Sequence, residues 1–112
     1  MSLPTLTNEQ RKAALAKAGA VRKARAEFKQ QVARGEITAT EALSQALESP
    51  EVLGRLLVAE FLRCIPGIGA RRAQSTVDKI GIAHNRRLSG VGKRQLRELL
   101  AVCSSMDNKV NA

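Results

Sequence analysis

The run Cys64-Ile65-Pro66-Gly67-Ile68-Gly69-Ala70-Arg71-Arg72 constrains this chain more than any other stretch. Pro66 fixes its own φ and pushes Ile65 into an extended conformation, so a helix arriving from the N-terminal side must end near Cys64. Gly67 and Gly69 are free to take positive φ and, lacking a Cβ, let a ligand approach the backbone closely. The next helix opens at once, presenting unpaired N–H groups and the positive end of its dipole at the turn. Arg71 and Arg72 in that first turn oppose the dipole by ~0.3–1 kcal/mol each unless an anion sits there. The turn therefore reads as a grip for phosphate. The plainer alternative is an αα-turn whose glycines only permit a tight reversal.

A second stretch, Arg86-Arg87-Leu88-Ser89-Gly90-Val91-Gly92-Lys93-Arg94, repeats the hydrophobic-Gly-hydrophobic-Gly pattern and again opens a basic helix. The formal net charge of +9 over 112 residues favours a polyanionic partner. Its distribution sharpens this. Positions 63, 71, 72, 79, 86, 87, 93, 94 and 97 are Lys or Arg with Asp78 the one acid among them. Between Arg11 and Arg34 the acid is Glu27 alone, and Arg22, Lys23 and Arg25 lie at the centre of that basic block. Two basic blocks flanking a more acidic middle predict two contact surfaces.

Apolar residues recur at helical spacing and good helix formers dominate, which predicts an all-α fold. Thr7-Asn8-Glu9-Gln10 is a capping box, so a long helix is expected over 8–33, ended by Gly35. Its apolar line, Ala14, Ala18, Val21, Phe28 and Val32, is thin, and only the C-terminal half is expected to dock firmly. Thr38-Ala39-Thr40-Glu41 predicts a second capping box and a helix with Leu43 and Leu47 inward. Ser49-Pro50 predicts the start of a further short helical segment. Helices over 58–64, 70–80 and 93–103 follow, the middle one closed by Gly81. The organisation expected is a basic N-terminal helix over 1–35 with an irregular lead over 1–6, a compact helical domain over 36–103 with glycine turns at 65–69 and 88–92, and a disordered tail over 104–112.

Helix, two turns and helix is the arrangement of the helix-two-turns-helix and helix-hairpin-helix folds. The whole chain resembles the actinobacterial integration host factor family, on Thr7-Asn8-Glu9-Gln10-Arg11, Ala24-Arg25-Ala26-Glu27, Glu51-Val52-Leu53-Gly54-Arg55, Ile65-Pro66-Gly67-Ile68-Gly69 and Asn85 to Gly92. The resemblance implies a nucleoid-associated protein that binds double-stranded DNA with little sequence preference, bends or compacts it, and assists site-specific recombination. It implies a phage integrase as a further partner. Family DNA contacts carry over to Pro66, Gly67, Gly69, Arg86 and Arg87. Ile68, Arg71, Arg72, Ser89, Gly90, Gly92, Lys93, Arg94, Arg22, Lys23 and Arg25 complete the expected interface. The chain departs from the family pattern at Ala70, where relatives often carry Lys, and at Ser89, where many carry Arg. A monomer in the cytoplasm, at the nucleoid, is expected, with no membrane and no small-molecule substrate.

An RNA-binding, ribosome-associated role is the alternative, though two Phe with neither Tyr nor Trp leave little for base stacking. Catalysis is not expected. His84 is the one histidine and has no Cys or carboxylate clustered beside it in sequence, and a pocket for an extruded base exceeds so short a chain. Cys64 and Cys103 lack metal-ligand spacing and read as buried, reduced thiols, so neither a metal nor another cofactor is expected. The basic helix carries mostly Ala on its apolar face, which disfavours a lipid surface. For Arg11, Lys12 and Lys17 a merely solvated helix face stays open.

Overall fold

The computed structural model describes residues 7–111, with side chains through Asn108; the lead expected over 1–6 lies outside the described residues, as does Ala112. The order is α1 (Asn8–Ala33), α2 (Ala39–Glu48), a 3-10 turn (Leu53–Arg55), α3 (Val58–Cys64), α4 (Ala70–Ile80), a second 3-10 turn (Leu88–Gly90) and α5 (Lys93–Asn111). The fold is all-α. Among the described residues, strand-like pairing is limited to one isolated antiparallel bridge between Leu57 and Arg87.

The N-terminus of α1 is closed from both sides: Thr7 Oγ1 accepts the Gln10 N–H at 3.1 Å and Gln10 Oε1 accepts the Thr7 N–H at 2.9 Å. Gly35, with φ +73°, follows its last turn, a conformation in which a Cβ would be strained. Phe28 and Val32 are buried while residues 8–18 are exposed, so only the second half of α1 packs and the first half projects as a basic arm. Ala14 and Ala18 face solvent with it, and Leu15 is 70% exposed. The docking point is the Phe28–Phe61 ring stack, centroids 6.4 Å apart, which joins α1 to α3. Around it Leu43, Leu62, Val77, Leu88 and Leu99 are fully buried, so every later helix contributes to one core.

Four expectations need correction. Residues 104–111 are not part of a disordered tail: α5 runs on to Asn111. Met106 is buried there, and the Asp107 carboxylate accepts the Ala39 and Thr40 N–H groups at 2.7 and 3.1 Å and the Thr40 hydroxyl at 2.6 Å. The second capping box is therefore half local. Thr38 Oγ1 accepts the Glu41 N–H at 3.0 Å, while the other N–H groups of α2 are satisfied from α5. Leu47 sits near the open end of α2, is 36% exposed and is not inward. After Ser49 the short helical segment is only a 3-10 turn, begun later than Pro50. The Ser49 carbonyl accepts both the Val52 and Gly54 N–H groups, and the chain turns into the 3-10 segment.

Both cysteines are free; Cys103 is buried, but Cys64 only half so. Burial, with the Asp107 charge adding to it, pushes the Cys103 thiol from its ordinary 9.0 up to about 12. Burial also raises Cys64, against the opposing pull of Lys29 and Arg63 and with a further push from Glu60. Because the fold holds the Cys103 thiol protonated, ionisation favours unfolding. Stability from this group is intact below pH 9 and is withdrawn as pH climbs toward about 12. In folded protein at pH 8, a thiol-exchange reagent should label Cys64 slowly and Cys103 not at all, with both labelled after denaturation. Rapid labelling of both in the folded state would contradict this packing.

Candidate nucleic-acid interface

The first turn is built as its residues require. The Ile65 N–H bonds the Leu62 carbonyl at 3.1 Å to end α3, Ile65 turns extended before Pro66, and the Ile68 N–H closes on the Ile65 carbonyl at 3.0 Å. Ile65 and Ile68 are buried, which pins both ends of the turn and turns Gly67 and Gly69 outward. Gly67 has φ +90°, but Gly69 has φ −86° and ψ 177°, an ordinary extended conformation. A Cβ at Gly69 would meet nothing within 4 Å. The fold itself thus demands glycine at 67 and leaves 69 open for something outside the chain to come close.

The helix that follows has a bare start. No side chain caps α4, and the first N–H with a helical partner is that of Ala73, on the Gly69 carbonyl at 2.9 Å. α2 has its first three N–H groups taken by side chains and α1 has that of Gln10, whereas the α4 terminus carries exposed Arg71 and Arg72. Unfilled donors, a positive dipole end and two guanidiniums together suit a phosphate group.

The second turn shares the sequence pattern of the first but not its backbone. Neither Gly90 nor Gly92 has positive φ. Leu88–Gly90 is a 3-10 turn anchored by buried Leu88, with the Gly90 N–H on the Arg87 carbonyl at 2.9 Å. Its placement comes from outside: the Val58 N–H bonds the Arg86 carbonyl and the Leu88 N–H bonds the Leu56 carbonyl, both at 3.0 Å. Gly54 is buried against it, and a Cβ there would lie 3.1 Å from the Ser89 Cβ. Gln95 braces the far side, accepting the Gly92 N–H at 3.2 Å and donating to the Gly81 carbonyl at 3.0 Å. Asn85, Arg86, Arg87, Ser89 and Gly90 line an open concavity of about 370 Å³.

The cations differ in freedom. Arg87 Nη1 donates to the Arg55 carbonyl at 2.9 Å, which lays its guanidinium along the first 3-10 segment. Arg86 Nη1 reaches the Gly90 carbonyl at 3.5 Å. Both partners are neutral, so both charges stay available. Arg94 lies 3.6 Å from Glu98 and Lys23 lies 4.0 Å from Glu27, each pair exposed and on one helix face; Lys93 is exposed. Arg25 is half-buried with Nε on the Val52 carbonyl at 2.8 Å, which ties α1 to the segment beneath the second turn. Arg22 faces solvent on α1, at the base of the arm. Arg55, exposed next to Arg87, belongs to this cationic group and was not anticipated; the cue was Gly54, a break that places its neighbour against the second turn.

His84 is exposed, with Nδ1 2.8 Å from Gln74 Nε2, and Gln74 Nε2 also lies 3.1 Å from Asp78 Oδ1. Among the described residues no three His, Cys, Asp or Glu side chains are grouped to hold a metal ion. No described helix is long and apolar enough to cross a membrane.

Comparison with known proteins shows the family and the fold. The S13-like H2TH domain family matches residues 32–102. Proteins named integration host factor from Mycobacterium tuberculosis and Streptomyces coelicolor are 48% and 39% identical over 100 and 99 residues, covering 89% and 88% of this chain and 94% and 92% of theirs. A solved structure described as sIHF bound to an 8-base-pair palindromic DNA superposes with a TM-score of 0.72 at 32% identity, covering 79% of this chain and 98% of that one.

The two glycines of the first turn should therefore separate on substitution. Gly69→Ala should change stability by under about 1 kcal/mol, the scale of an altered N-cap, while weakening phosphate-backbone binding several-fold. Gly67→Ala should lower the thermal midpoint clearly, because its φ is unfavourable for any side chain. Unchanged binding by a folded Gly69→Ala protein, measured by fluorescence anisotropy on a labelled duplex, would exclude close approach at this turn.

Proposed function

From the premise that this chain belongs to the actinobacterial integration host factor family and carries its S13-like H2TH domain, we propose that its two turns clasp nearby phosphates of one DNA duplex. The chain is a DNA-binding, nucleoid-associated protein and not an enzyme. The observation that carries the proposal is the placement of the turns at opposite ends of one short helix. The second turn is bonded to the start of α3 at Val58, and the first begins where α3 ends, at Cys64. Seven helical residues span ~10 Å, about three base-pair steps of 3.4 Å.

Phosphate contacts of this kind position a protein without reading sequence. The candidate contacts are backbone N–H groups and cations at turns and helix starts, groups that meet phosphate and not base edges, which supports low sequence preference. The basic arm of α1 projects from the body and, with exposed Arg22 and Lys23 at its base, supplies a second surface toward a neighbouring stretch of duplex. Two surfaces at an angle on one molecule hold DNA bent, and bending supports compaction and the assembly of recombination complexes, with a phage integrase as the protein partner. The protein acts as a monomer at the nucleoid in the cytoplasm. Both rings, Phe28 and Phe61, are enclosed in the core, which leaves no stacking platform for single-stranded RNA; competition between duplex DNA and duplex RNA decides the remaining RNA reading.

A salt titration tests this directly. Neutralising about four to seven phosphates gives a slope of log affinity on log salt near −4 to −6. Arg86→Ala with Arg87→Ala should make the slope shallower by roughly two and weaken binding similarly on unrelated sequences. A slope near zero in the wild type, or a double variant that binds as before, would refute the proposal.

A further inference from the structure

The last turns of α5 lie beyond the matched span of residues 32–102, yet they reach the first glycine turn. Met106 is 5% exposed, and its methyl carbon lies 3.0 Å from the point at which a side chain on Gly67 would begin. The next residue, Asp107, holds the start of α2 through the Ala39 and Thr40 N–H groups and the Thr40 hydroxyl. Among the described residues it is the one carboxylate that accepts backbone N–H groups, and it does so across 67 and 68 positions of sequence. Consecutive residues of a helix point about 100° apart, so one turn of α5 serves two neighbours: Met106 toward the turn, Asp107 toward α2. Val32, Thr38, Ile65 and Pro66 close the remaining cleft, about 50 Å³, between them.

We propose that Asp107 and Met106 form a latch that sets the height and angle of the Ile65–Gly69 turn for the phosphate backbone. Asp107 fixes the end of α5 against the α2 N-terminus, where the unpaired N–H groups and dipole favour its charge. Met106, carried on the same turn, is thereby held beneath Gly67. Both are positioning residues that act through the turn, and the inference rests on that turn being a DNA contact. A phosphate bonded to N–H groups tolerates little displacement, since hydrogen bonds weaken steeply as distance and angle depart from ideal. The turn has no side chain of its own at Gly67 to brace it, and the Met106 thioether is an adaptable filler for that gap.

Asp107→Ala, Asp107→Asn and Met106→Ala separate the parts. Amide exchange at Ile68, whose N–H closes the turn on the Ile65 carbonyl, reads the turn without DNA; exchange at Ala39 and Thr40 reads the α2 end. Asp107→Ala should speed exchange at all three and weaken duplex binding roughly three- to tenfold, the scale of one lost hydrogen bond. Asp107→Asn, which keeps one acceptor, should fall between it and the wild type. Met106→Ala should speed exchange at Ile68 alone, with a comparable loss of affinity. Exchange at Ile68 and affinity both at wild-type values in the Met106 and Asp107 variants would overturn the latch. Should Asp107→Ala fail to fold, Met106→Ala decides by the same two readouts. A wild-type protein that binds no duplex defeats the DNA reading instead, and Ile68 exchange still decides whether the latch holds the turn.

Discussion

The short antiparallel contact at Leu57 and Arg87 is what the remaining architecture leans on. Two backbone hydrogen bonds flank it, Val58 to Arg86 and Leu88 to Leu56, and the Arg87 guanidinium extends it to the Arg55 carbonyl. Through it the second turn is registered to the first residue of α3, and α3 then delivers the first turn at its other end. The distance between the two cationic elements is thus the length of a seven-residue helix, not of a flexible loop. Gly54 is the steric condition for this contact, because a side chain there would crowd Ser89. Ser89 presses its own Cβ toward that glycine.

Polar ends are distributed with the same economy. Among the described residues no polar or charged residue is buried and no buried side-chain N or O lacks a partner. The N-terminus of α2, which faces the body, is closed by Thr38 and Asp107, and that of the projecting α1 arm is closed by Thr7 and Gln10. The start of α4 has no side-chain cap and carries two arginines that its own dipole repels. Left alone, that arrangement is unfavourable; with a phosphate in place, both terms change sign. The core gains little from aromatics, and one stacked Phe pair anchors α1, which leaves the arm free for a second contact.

Much of this was legible because it is local. The ends of α1 follow from Thr7, Gln10 and Gly35, and the bounds of α3 and α4 follow from Pro66, Gly69 and Gly81, each acting within a few residues. The first turn could be read for the same reason: Pro66 and Gly67 dictate their own backbone. Features set by distant partners were not legible. The helical continuation past Cys103 depends on Asp107 meeting Thr40, 67 positions earlier, and polar composition alone gave no hint of it. The second turn repeats the glycine pattern yet takes a 3-10 path, because Leu88 is pulled into the core and its flanks are bonded to Leu56 and Val58. Arg55 joins the interface only through that pairing. Leu47 carried the right spacing for burial, but no element covers the end of α2.

The central claim is that both turns face one duplex, and a crystal structure of this chain with DNA long enough to engage them together tests it most directly. Phosphate oxygens should lie within hydrogen-bonding distance of the free N–H groups at the start of α4 and of the Arg86 and Arg87 guanidiniums, on phosphates about three steps apart along the rise of 3.4 Å per strand. A complex in which the duplex is held elsewhere, with both turns open to solvent, would contradict the account.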